Sequence, residues 1–180
     1  MASNETKPGP VQVVPENIPD ELKQLKQWVN WYWLYDETTG KWTKPPVNAR
    51  IFKPGKPYRA SHSNPSTWGD YEKALSNFQN FPEEIAGIGF VFTENDPYAG
   101  VDLDDCRDPE TGEITPFAMG IIERLKSYTE ISPSQRGVKI IVKGSLPKDM
   151  SEGGGKNEEL QIEVYNQKRY FTITGRVHNV

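Results

Sequence analysis

Cysteine is almost absent from this chain. Cys106 stands alone among 180 residues, which excludes an intrachain disulfide and a Cys-rich zinc site and fits a reducing compartment. Long apolar runs are missing too. No stretch approaches the roughly 20 residues that a membrane-spanning helix needs, and the N-terminus lacks the basic-then-apolar order of a signal peptide. There is no internal repeat. Nor is there an overall basic excess: the net charge of -4 argues against a general nucleic-acid binder. The charge is unevenly spread, however. Residues 131–180 hold eight Lys and Arg against five Asp and Glu, whereas residues 1–130 hold thirteen against twenty. Lysines decorating exposed strands would give a similar count.

What is present suffices for one sizeable core, with five Trp, eight Tyr and seven Phe in a chain of single-domain length. Residues 1–19 are polar and proline-rich and read as a flexible tail, leaving 20–180 as the folded domain. A short helix is predicted over 20–27 with Asp20 as its cap. A strand follows over 28–35, then a turn at 36–40 and a return strand over 41–44. Pro45-Pro46 is expected to break regular pairing, and 47–63 reads as a basic loop with Arg50, Lys53, Lys56 and Arg59. A helix is predicted over 65–78, capped by Asn64 with Pro65 in its first turn. Strands are expected at 87–93 and 98–104. The next helix starts at Thr115-Pro116 and runs to about Lys126, with Phe117, Ile121, Ile122 and Leu125 on one apolar stripe. Four strands near 128–132, 138–143, 160–165 and 169–174 complete the pattern, with 151–156 as a flexible loop and 169–174 as a hairpin return from 160–165. This order implies an α+β fold, a mixed or antiparallel sheet with helices on its faces.

The chemistry concentrates in Gly100-Val-Asp-Leu-Asp-Asp-Cys106. Residues i and i+2 of a strand share a face, so Asp102 and Asp104 point the same way. A third carboxylate, Glu163, lies in the strand-like run 160–165. Such oxygen-only donors suit Mg²⁺ or Mn²⁺, and two metals held by carboxylates are equipped for nucleotidyl transfer. Taken alone, Asp-x-Asp also fits a solvated strand edge. A Ca²⁺ loop starting at Asp102 fits poorly, because an EF-hand needs glycine at its sixth position, where Arg107 stands, although Glu113 suits the twelfth. The polar loop Ser132-Pro-Ser-Gln-Arg-Gly137 enters an apolar strand and carries Lys139 at the strand's start. Trp28, Trp31 and Trp33 read as core rather than as a stacking platform for bases. His62 reads as a surface-loop histidine, and Cys106 as a buried apolar residue rather than a nucleophile.

These segments in this order, Ile88-Gly-Phe-Val, Val101-Asp-Leu-Asp-Asp-Cys, Ser127-Tyr-Thr-Glu-Ile-Ser-Pro-Ser, Glu163-Val-Tyr and Arg169-Tyr-Phe-Thr-Ile-Thr-Gly, resemble the phage and plasmid primase-polymerases of the archaeo-eukaryotic primase superfamily. The resemblance runs from about Leu22 to Gly175. It implies an RRM-like catalytic half joined to a smaller N-terminal α/β half. It also implies Asp102, Asp104 and Glu163 as catalytic metal ligands, and nucleotide contacts from Ser134, Arg136, Lys139 and Arg169. Lys139 departs from the family, whose second motif usually ends in histidine; a lysine still offers a point charge to phosphate. Lys44 and Ser61-His62 match a family stretch near the cleft loosely. Members with a zinc-stem insertion are a poor match to a chain with one cysteine.

The resemblance implies a template-dependent DNA primase or polymerase that uses Mg²⁺ or Mn²⁺, nucleoside triphosphates and single-stranded or primed DNA. It further implies a cytoplasmic setting in a phage-infected or plasmid-bearing bacterial cell and a longer protein carrying a helicase or a helical accessory domain. Two alternatives stay open on the residues alone: a catalytically weak nucleic-acid-binding module of the same fold, and a metal-dependent nuclease.

Overall fold

Gly87–Phe92, Gly-Ile-Gly-Phe-Val-Phe, is apolar at every second side chain and glycine or apolar between, so it suits a strand covered on both faces. In the computed structural model, which describes residues 6–147, 150 and 152–178, this strand is wholly buried at the centre of a sheet. The strands run in chain order as β1 (Trp28–Trp31), β2 (Leu34–Asp36), β3 (Lys41–Thr43), β4 (Pro46–Val47), β5 (Gly87–Phe92), β6 (Tyr98–Leu103), β7 (Tyr128–Ile131), β8 (Val138–Lys143), β9 (Gly154–Asn157), β10 (Ile162–Tyr165) and β11 (Arg169–Ile173). The helices are α1 (Asp20–Lys23), α2 (Tyr71–Asn80) and α3 (Pro116–Leu125). One sheet has the order β11-β5-β1-β4, a second has β7-β8-β6-β10-β9, and β2 and β3 form a separate ribbon. Every pairing is antiparallel. The fold is α+β, as the element order implied. The run β6-α3-β7-β8 is the opening of a ferredoxin-like β-α-β-β-α-β arrangement, with β10 as its last strand beside β6 and β9 in the chain where its second helix would come.

The two larger sheets meet over aromatic rings. Phe90, Phe92, Phe171 and Ile173 of the first pack in one cluster with Tyr98 and Ile141 of the second and with Trp28 and Tyr71. Phe92 and Phe171 stand edge to face at 5.0 Å. They approach the second sheet closely because Gly100 of β6 has no side chain: a Cβ there would clash with the edge of the Phe171 ring and lie 2.7 Å from Phe92. On the other face of the second sheet, Val101, Leu103, Val138 and Ile140 pack on Ala118 and Ile122 of α3.

Several elements differ from the sequence expectation. Residues 6–19 are held against the body rather than free: Val11 N–H donates to Ala86 O at 2.9 Å, Val14 N–H to Thr174 O at 2.8 Å, and Ile18 is buried. Residues 1–5 lie outside the described part. The first helix is one turn, with Pro19 at the cap position and Asp20 as its first residue. The long strand expected over 28–35 is interrupted at Tyr32-Trp33, so β1 joins the sheet while β2 joins the ribbon. Pro46 does pair, opposite Trp31, because β4 is a sheet edge where the missing N–H costs no ladder bond. The helix expected over 65–78 is cut in two. A 3-10 turn at Pro65–Thr67 ends where Gly69 exchanges two backbone hydrogen bonds with Trp28, and α2 restarts with Asp70 accepting from Lys73 N–H at 2.8 Å. On α3 the buried stripe is Ala118 and Ile122; Phe117 and Leu125 are 49% and 38% exposed. Part of the loop expected over 151–156 is β9, paired with β10. Most consequentially, β11 does not return beside β10. The chain turns at Lys168, where φ is 54°, and crosses to pair with β5 in the other sheet.

Gly100→Ala is expected to cost about 1–3 kcal/mol, since one methyl must push two packed rings aside. A urea midpoint unchanged from wild type would show that the sheets are free to part at this point.

Candidate active site

The antiparallel register lines up one charged residue from each strand of the five-stranded sheet. Glu130 of β7 faces Lys139 of β8, Lys139 faces Asp102 of β6, Asp102 faces Glu163 of β10, and Glu163 faces Lys156 of β9. Strand alternation puts all five on the face turned toward the other sheet, with Asp104 two residues beyond Asp102. The row runs from buried to open. Glu130, Lys139 and Glu163 are buried, while the Lys156 side chain is 39% exposed.

Each member has defined partners. Lys139 Nζ donates to Asp102 Oδ2 and lies 4.6 Å above the Phe171 ring. Arg169 donates to Glu163 Oε2 at 2.9 Å, and Lys156 Nζ is 3.4 Å from Oε1. Burial acts to raise the Glu163 pKa, but Arg169 and hydrogen bonds from Tyr165 and Lys156 outweigh it and hold the carboxylate below the ordinary range. Asp104 goes the other way: burial first, then the charge of Asp102, pushes its carboxyl up. Glu130 accepts from Thr174 N–H at 2.9 Å, from Gly175 N–H at 2.9 Å and from Tyr128 O–H at 2.6 Å, so it ties the chain after β11 to β7.

Above the acids lies an open cleft of about 730 Å³. Of the seven site residues expected from the sequence, it brings together Asp102, Asp104, Glu163, Ser134, Lys139 and Arg169. Ser134 shares a 2.9 Å hydrogen bond with Ser132 at the mouth of the β7–β8 loop. Arg136 is not among them. Its guanidinium, 62% exposed, lies beside Asp105 at 3.4 Å and not on the cleft lining. The opposite wall comes from the N-terminal half, with Lys44, Arg59 and His62. Lys44 is held below the usual lysine range by burial and by the charge of Lys139, and packs 5.0 Å from the Trp33 ring. Its carbonyl accepts from Tyr170 O–H, which fixes this wall to β11. His62 is a cleft residue rather than a plain surface one; burial and the nearby Arg169 lower its pKa. Arg59 and Lys156 carried no local signal as site residues, since only the fold brings the 47–63 loop and β9 here. Trp28 and Trp31 are core, as expected, and Cys106 is buried.

Three carboxylates and no sulfur or imidazole among the donors fit a hard divalent cation. Asp102 Oδ1 supports this, for it is buried without a hydrogen-bond partner. Among the described residues, no three such groups stand ready-clustered as they are. Asp102 Oδ2 and both Glu163 oxygens are engaged instead by Lys139, Lys156 and Arg169.

Two antiparallel sheets meeting over this row of acids define an α+β domain of the primase-polymerase type. Sequence comparison agrees: 156 residues are 35% identical to a DNA primase-polymerase of Nitratiruptor phage NrS-1, a match that covers 87% of this chain and 20% of that protein. The chain is thus of the phage primase-polymerase type, and it spans about a fifth of the length of the curated relative it matches. No family model matches it.

The opposite shifts of the two carboxylates predict opposite pH behaviour. Asp104 binds its proton more tightly folded than unfolded, so its ionisation costs stability as pH rises through its raised folded value. Without divalent ions, Asp104→Asn is expected to raise Tm at pH 7 and to leave it unchanged below the ordinary aspartate range. For Glu163, stability is present above the unfolded glutamate pKa and lost as pH falls through the lowered folded value, so Glu163→Gln lowers Tm at pH 7. Tm profiles against pH for the two variants check both signs.

Proposed function

We propose that this chain is a catalytic module for template-directed nucleotidyl transfer, a DNA primase or polymerase active with Mg²⁺ or Mn²⁺. The observation that carries the reading is the direct cross-strand opposition of Asp102 and Glu163, with Asp104 on the same face, at the floor of a cleft whose far wall is cationic. Like charges placed opposite each other on a sheet destabilise it, so such a pair is favoured where a cation is to be held. Asp102, Asp104 and Glu163 would hold the metal ions. When bound, these lower the pKa of an attacking 3′-hydroxyl and offset charge on the leaving pyrophosphate.

The chain's own residues supply the rest. Arg169, Lys44 and Arg59 draw the triphosphate into the cleft. Arg169 bridges the two sheets, since it belongs to one and pairs with Glu163 of the other, and so sets the phosphate against the acids. Lys139 holds Asp102 through its Oδ2 and rests on the Phe171 ring at the floor of the cleft. Base choice would come from pairing with the template. The whole activity and its DNA and nucleotide partners accord with the phage relative's name, a DNA primase-polymerase, and belong to this proposal, as do a helicase or accessory domain of a longer protein and a cytoplasmic setting. Among the described residues no helix is long and apolar enough to cross a membrane.

A second reading, a binding-only module, has one observation in its favour: Lys139 pairs with Asp102, and Arg169 and Lys156 pair with Glu163. Incubation with primed template, deoxynucleotides and Mn²⁺ separates the readings. The expected result is stepwise extension. Binding without extension favours the second reading, and degradation without a need for nucleotides favours a nuclease.

Asp102→Asn and Glu163→Gln are each expected to abolish extension and to weaken Mn²⁺ binding measured by calorimetry. Extension at near wild-type rate in both would remove the metal-site reading. Lys139→Ala is expected to lower kcat/KM roughly 10- to 150-fold, a barrier increase of about 1.5–3 kcal/mol for a lost charge-assisted contact, and Lys139→His to recover part of it.

A further inference from the structure

Residues 38–69 contain six Lys and Arg and no Asp or Glu, in a chain of net charge -4. Among the described residues none of the six is in an ion pair. Arg50, Lys53, Lys56 and Arg59 are exposed on one loop, together with Tyr58 at 46%. This loop is a fixed ledge. Phe52 is buried beneath it, 5.4 Å from Phe81. Lys56 N–H donates to Lys53 O at 3.0 Å, Gly55 N–H to Glu84 at 2.7 Å, and Asn48 N–H to Tyr58 O at 2.8 Å.

The β2–β3 ribbon precedes it in the chain. Among the described residues its strands pair only with each other, and no residue from 34 to 43 is buried. A lone two-stranded ribbon is marginal in water, and this one adds nothing to the core. It nevertheless carries Leu34, Lys41 and the edge-to-face pair Tyr35 and Trp42, whose rings are 5.3 Å apart. Both elements lead to the same place. The ribbon continues into Lys44 and the ledge ends at Arg59, and these two line the cleft wall that faces the acids.

Cations left unpaired on a fixed backbone bind phosphates with release of counterions, and aromatic faces among them stack unpaired bases. A duplex hides its base faces, so the aromatic component is useful to a single strand. We propose that the ledge at 50–59 and the ribbon at 34–43 form a binding surface for a single-stranded nucleic acid that leads into the cleft as template. The direction of the strand rests on the polymerase reading of the cleft; the binding itself does not.

The test is fluorescence anisotropy with a labelled single-stranded oligonucleotide in EDTA, without nucleotides, across a salt series. The triple substitution Arg50→Ala, Lys53→Ala, Lys56→Ala is expected to weaken binding and to reduce the slope of log K against log salt by about 2, at roughly 0.7 per phosphate contact. Tyr58→Ala is expected to lose on the order of tenfold in affinity for the single strand, with Tyr58→Phe retaining it and duplex binding unmoved. All four side chains are exposed, so Tm should hold at the wild-type value. An unchanged slope and affinity in the triple variant overturn the proposal, and so does a Tyr58→Ala loss that is equal for duplex and single strand. If those losses appear but wild type extends no primer, the surface stands and the polymerase reading falls. If primer extension proceeds and the triple variant binds template like wild type, the surface falls alone.

Discussion

A row of alternating charges held in register across five strands is the constraint on which the rest of this structure depends. Backbone hydrogen bonding fixes Glu130, Lys139, Asp102, Glu163 and Lys156 side by side, and the signs alternate except at the centre, where Asp102 meets Glu163. That central repulsion has to be offset. Lys139 offsets it from one side, Arg169 and Lys156 from the other. Charges taken from water are costly unless they are paired and hydrogen-bonded. The surroundings answer that demand: Lys139 rests on the Phe171 ring, and Glu130 collects backbone N–H groups from Thr174 and Gly175.

The site is divided between the two sheets, and the short turn after β10 is one of the connections between them. β10 carries Glu163 in the five-stranded sheet. Three residues later the chain enters β11 in the other sheet, with Arg169 at its start. The 2.9 Å pair between these side chains therefore stitches the sheets together at the mouth of the cleft. The acids come from the sheet backed by α3. The cationic wall comes from the N-terminal half, anchored through Tyr170 and the Lys44 carbonyl. Neither half holds both the carboxylates and that wall, which explains why the chain needs Gly100: without close contact of the sheets the two walls would not face one cleft.

Much of this was legible locally. The alternation around Asp102 and Glu163 placed three acids on strands, and the motif order pointed to the primase-polymerase type. Where the local reading failed, a long-range backbone contact had overridden it. Trp28 takes Gly69 into a bridge and breaks the helix expected over 65–78. Thr174 and Ala86 capture the proline-rich N-terminal segment, which by composition looks free. Gly154–Asn157 reads as a loop because glycine is a poor strand former, yet pairing with β10 makes it the strand that brings Lys156 to Glu163.

The sequence alone determined which residue types were available and how they alternate, because strand period and turn chemistry act over a few residues: carboxylates at 102, 104 and 163, an apolar Gly87–Phe92 strand, and a 32-residue stretch without acid. The tertiary structure alone decided which charges meet. Register sets Lys139 against Asp102 over 37 residues of chain, the crossing of β11 carries Arg169 to the other sheet while keeping it on Glu163, and the β7–β8 loop sets Arg136 beside Asp105. Partners so far apart are selected by hydrogen-bonded pairing and packing of the whole sheet, to which no local run of residues has access.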